Sequence, residues 1–149
     1  MTLKARISED TKSAMKTGDK DRLKVLRLIR AAIQQVEVDK RTELDDAGVL
    51  GVLDKMVRQR RDSVNQFRDG GRQDLADIEL AEIEVLLGYL PEQLGEAELD
   101  EIIEQAIVDS GAESLRDMGR VMARVKAKAA GRADMAAVSA SVKKRLGAD

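Results

Sequence analysis

Apolar residues recur along the chain at the three-to-four-residue spacing of α-helices, and no stretch alternates with period two over a strand's length. The pattern predicts seven helices and an all-α fold. Leu3, Ile7, Ala14 and Met15 mark the inward side of a first helix over about residues 3–17, stopped at Gly18. Asp19 can cap a second over about 20–39, with Leu23, Leu26, Ile29, Ile33 and Val36 inward. After a polar turn with Asp45 and Asp46 as candidate caps, a third helix spans about 47–69 and a fourth about 73–90, where Pro91 forbids continuation.

Folding the chain back at Gly70-Gly71 pairs Phe67 with Leu75, Val64 with Ile78, Val57 with Val85 and Leu53 with Tyr89 in one antiparallel register. The same register sets Arg60 opposite Glu82, in phase with the apolar stripes. A partly buried ion pair is therefore expected there, with a structural role in fixing the register. Beyond the break Pro91-Glu92-Gln93-Leu94-Gly95, a fifth helix over about 96–109 turns Leu99, Ile102, Ile103, Ala106 and Ile107 inward. Ser114 and Asp117 have capping-box spacing before a sixth over about 115–130, with Met118, Val121, Met122 and Val125 as its stripe. Asp134 caps a seventh carrying Met135, Val138, Val142 and Leu146. The expected organisation is an N-terminal helical domain of long hairpins over residues 1–91 and a small three-helix domain over residues 95–149.

Charge divides the chain differently from its net value of −2. Residues 1–72 carry 17 basic and 12 acidic groups, residues 73–115 carry 13 acids and no base, and residues 116–149 carry 9 basic groups and 3 acids. Any single basic cluster can be an ordinary solvated helix face. The C-terminal concentration points instead to contact with a polyanion. Arg120, Arg124 and Lys128 recur every four residues and share one helix side.

The chain has 149 residues, no His, no Cys and no Trp, and Phe67 and Tyr89 are its only aromatics. That excludes imidazole bases, thiol nucleophiles, disulfides and a cysteine or histidine zinc site. No phosphate-binding glycine loop is present, and the serines have no histidine to activate them. The acidic run Glu92, Glu96, Glu98, Asp100, Glu101, Glu104 lacks the spacing of a dedicated cation loop and reads as an exposed acidic helix. No catalytic residue, cofactor or metal site is expected. The N-terminal residues lack the apolar core of a secretory signal, and no run is apolar enough to span a bilayer, so a cytoplasmic protein without membrane contact is expected.

Five segments in the same order carry a resemblance over nearly the whole chain: SAMKTGDKDRLKVLRLIRAAI, RQRRDSVNQFRDGGRQDL, LLGYLPEQL, GAESLRDMGRVMARV and GRADMAAVSASVKKRL. They resemble the YqeY-like proteins, free-standing relatives of the tail region of the B subunit of glutamine-dependent tRNA amidotransferase, a carbon–nitrogen ligase. The resemblance implies a helical N-terminal domain, a three-helix C-terminal domain and a link to tRNA. Catalysis would belong to domains absent here, leaving at most an accessory role. It also implies RNA contacts by Arg120, Arg124, Lys128, Arg132, Lys143 and Lys144, the positions matching the family's GRVM and GRAD segments and the basic end. Met135 departs from the family pattern, where glycine is frequent. With so few aromatics, RNA would be read through its backbone and shape. The alternative is a helical protein-interaction adaptor that engages a protein partner through the acidic segment 73–115.

Overall fold

A computed structural model describes residues 1–147. Its elements are α1 (Leu3–Thr17), α2 (Lys20–Lys40), α3 (Asp46–Asp69), α4 (Gln73–Leu87), α5 (Glu96–Ser110), a 3₁₀ turn (Leu115–Asp117), α6 (Met118–Ala129) and α7 (Met135–Gly147). The described residues are all-helical and contain no strand. They group into two compact units that divide between Leu90 and Pro91.

In the N-terminal unit, α3 and α4 make the most extensive helix pairing and α1 pairs with α2. The caps follow from side-chain chemistry. Asp19 accepts from Arg22 N–H and Asp45 from Gly48 N–H, each satisfying one amide that the first helical turn leaves free. Gly18 closes α1 at φ +72°, where its missing Cβ removes the steric cost. Arg41 closes α2 at φ +53° without glycine.

Two faces differ from the spacing-based expectation. On α1, Met15 is 56% exposed and Thr11 takes its place in the core. Positions 7, 11 and 14 are aligned on one side, and the Thr11 hydroxyl donates to the Ile7 carbonyl at 2.7 Å, which makes the polar residue compatible with burial. On α4, Ile78 is 52% exposed, while Ala76, Ile83 and Leu86 are buried. Leu75 and Val85 are only half-buried, as is Phe67 on α3. This helix carries two apolar stripes. α3 receives the one running through Ala76, Leu80 and Ile83, rotated from the stripe through Leu75, Ile78 and Val85.

Arg60 and Glu82 nonetheless face one another across the hairpin. Arg60 Nη2 lies 3.6 Å from Glu82 Oε1, and the side chains are 14% and 12% exposed. Arg60 Nη1 donates to the Met56 carbonyl at 3.3 Å, whereas its buried Nε has no protein partner. Helix α4 ends three residues earlier than Pro91 requires. Tyr89, past its end, turns into the core and donates to Asp10 Oδ2, while the Arg6 guanidinium lies 4.8 Å from its ring centre.

The C-terminal unit encloses its own core of Ile103, Ala106, Val121, Val125, Ala129, Val138 and Val142. The capping box forms with both of its hydrogen bonds, on Ser114 and Asp117, at the 3₁₀ turn that opens into α6. The segment before α5 is tied to the α6–α7 turn. Leu94 N–H donates to the Arg132 carbonyl at 2.7 Å, and Gln93 Nε2 donates to the Gly131 carbonyl at 2.8 Å.

Candidate nucleic-acid interface

Helix α6 buries Val121, Val125 and Ala129, spaced four apart. A row at 120, 124 and 128 then falls one residue before each buried position. It flanks the core stripe and emerges into solvent, which places Arg120, Arg124 and Lys128 on the exposed side of the helix. On α7, burial of Val138 and Val142 leaves Lys143 and Lys144 exposed.

The six sequence-selected cations divide into three kinds of environment. Arg124, Lys143 and Lys144 are exposed and make no ion pair among the described residues. Lys128 lines a shallow cleft together with Glu101 and Glu104 of α5 and makes no ion pair among the described residues. Arg120 and Arg132 are held by the protein. Arg120 Nη1 donates to the Ser110 carbonyl at 3.2 Å and Nη2 bonds Asp117. Arg132 Nε donates to the Glu92 carbonyl at 3.1 Å and Nη1 to that of Lys128 at 3.4 Å.

The Asp117 carboxylate is the hub of the α6 start. The Glu113 amide N–H, and then the Arg120 guanidinium, hold its pKa below the ordinary carboxylate value. Arg120 thus closes a helix cap, and Arg132 fastens the segment before α5 to the turn before α7. Sequence spacing groups both with the free cations, because a carbonyl acceptor leaves no residue-type signature. Arg145, outside the selected six, is drawn to α5, with Nη2 3.0 Å from Asp100 and Nη1 3.4 Å from Glu104. The i, i+4 spacing of those two acids is legible, but a partner 41 to 45 residues away is not. Arg116 and Lys126, not selected from the sequence, are exposed and unpaired among the described residues.

Among the described residues no three carboxylates converge on a common point that could hold a cation. Among the same residues no helix is long and apolar enough to cross a membrane. The surface can therefore place several uncommitted cations of α6 and α7 against an anion, within a unit that contains no aromatic residue.

The described residues define an all-helical protein. The chain belongs to the family described as Yqey-like protein, which it matches over residues 4–146. It is 32% identical over 146 residues to altered inheritance of mitochondria protein 41, mitochondrial, of Pyrenophora tritici-repentis, covering 96% of this chain and 80% of that relative. Proteins of the same name in Lachancea thermotolerans and Clavispora lusitaniae are 32% and 38% identical, each over 64% of this chain. The chain spans about half the length of these last two relatives, 53% and 55%.

These names overturn the expectation of a cytoplasmic protein, since the relatives are named as mitochondrial. The expectation rested on the missing apolar leader. Mitochondrial transit segments are amphipathic and basic, so that criterion does not bear on them.

Proposed function

We propose that the C-terminal unit binds the phosphate backbone of a structured RNA, tRNA in the reading that the amidotransferase resemblance favours, and that the protein acts as a non-catalytic accessory. The observation that carries this reading is the set of uncommitted cations Arg124, Lys143 and Lys144, joined by Lys128. Phosphate oxygens are the acceptors such side chains lack among the described residues, and counterion release makes the contact favourable without base recognition. Arg120 and Arg132 hold the α6 cap and the segment before α5, and so keep the surface in place.

A salt-series binding assay with purified protein and tRNA tests the reading. Log affinity should fall linearly with log salt, by about 0.9 for each phosphate neutralised. Arg124→Gln/Lys143→Gln/Lys144→Gln should lower that slope by about 2 to 3 and weaken binding similarly across unrelated tRNAs. Salt-independent affinity, or binding unchanged in the triple variant, would overturn the proposal. Amide formation by the purified chain from charged tRNA and glutamine would overturn the non-catalytic part.

A further inference from the structure

The core of the N-terminal unit takes up one apolar stripe of α4 and only part of the other. Ile78 is 52% exposed and Ala81 is exposed, while Val85 is half-buried against the core. With Val25 of α2 they line a groove between α2 and α4, open to solvent and about 160 Å³ in volume. The described residues leave about half of the Ile78 surface open to solvent, although burial of so large an apolar side chain is favourable.

The two edges of this apolar strip differ in charge. The α2 edge carries Lys24 and Arg22 beside Asp21, with Arg22 Nη2 3.9 Å from Asp10 Oδ2, so Lys24 is the cation it leaves free. Lys24 makes no ion pair among the described residues and also borders an adjacent surface depression that holds Leu28, itself 40% exposed. Helix α4 has no base at all. On its edge away from α2, Asp77 and Glu84 are exposed and seven residues apart, in step with Ile78 and Val85. Neither acid has an ion-pair partner among the described residues.

We infer that this α2/α4 face is a self-association surface, on which a second copy of the chain docks by two-fold rotation. An apolar strip with a basic edge and an acidic edge is complementary to itself: the rotation lays each copy's basic edge on the other's acidic edge and apposes the two Ile78 side chains. Lys24 of one protomer then meets the Glu84 and Asp77 edge of its partner. A polyanion would suit only the basic edge and be repelled by the other. An unrelated acidic or basic protein would satisfy half of the charges. A second copy satisfies both. This surface lies in the N-terminal unit and does not depend on the RNA reading.

Sedimentation equilibrium of nuclease-treated, full-length protein tests the inference. At low salt the weight-average mass should rise with concentration towards twice the 16.4 kDa of one chain, and high salt should oppose the rise. Ile78→Lys should hold the mass at one chain while leaving thermal unfolding essentially unchanged, because the residue is solvent-facing. Lys24→Glu and Glu84→Lys should each raise the dimer Kd about tenfold, and the double variant K24E/E84K should recover most of the loss. A single-chain mass at every concentration up to the millimolar range would overturn the inference. Association indifferent to Ile78→Lys, or without recovery in the charge swap, would do the same.

Discussion

Tyr89 is the chain's only phenol, and its surroundings set a measurable property. Burial, then the hydrogen bond to the Asp10 carboxylate and the charge behind it, push its pKa up to about 12 from the ordinary 10. The folded state therefore favours the protonated phenol. Stability from this residue is complete below pH 10 and is lost as pH rises towards 12. Tyrosinate absorbance should titrate near 12 in the native protein and near 10 in urea, with no second tyrosine to obscure the signal. A native midpoint near 10 would show that the Tyr89 phenol is neither buried nor bonded to Asp10 in solution. The position of Tyr89 in the hairpin stripe was legible from spacing. Its partner Asp10, 79 residues away, was not, because nothing in the local pattern distinguishes one acid of α1 from another.

The α3/α4 hairpin shows what periodicity can and cannot deliver at the scale of an element. The turn at Gly70-Gly71 and the juxtaposition of Arg60 with Glu82 follow from one antiparallel register. The rotation of α4 does not follow, because the helix has apolar residues on two sides and either stripe satisfies the spacing. Only the packed partner decides. Replacing Arg60 by leucine leaves the Glu82 carboxylate at 12% exposure without its cation and should cost about 3 kcal/mol. The double variant R60L/E82L should return to within about 1 kcal/mol of the parent, since no charge is then stranded. Urea unfolding followed by near-ultraviolet circular dichroism measures both. Losses that add across R60L, E82L and the double variant would show that the pair does not interact.

At the scale of the molecule, two separate clusters of buried side chains lie one in each unit, and both aromatics belong to the first. Near-ultraviolet dichroism therefore reports the N-terminal unit alone, whereas the far-ultraviolet signal reports both. Val125 is fully buried in the second cluster. Val125→Ala should remove about 2 kcal/mol there, giving an earlier far-ultraviolet transition while the near-ultraviolet midpoint stays in place. A common downward shift of both signals would show that the two cores unfold as one. Sequence alone determined the all-helical class, the approximate helix bounds, the caps at Asp19 and Ser114, and the basic–acidic–basic order of the chain. Each of these depends on residues within a few turns of one another, where spacing and capping chemistry act. Tertiary structure decided which stripe of α4 faces the core, that Thr11 replaces Met15 inside, and that Arg120 and Arg132 bond to protein acceptors while Arg124, Lys143 and Lys144 make no ion pair among the described residues. Those outcomes turn on which of several equivalent donors and apolar faces meets a distant partner, and that selection is made only when the helices pack.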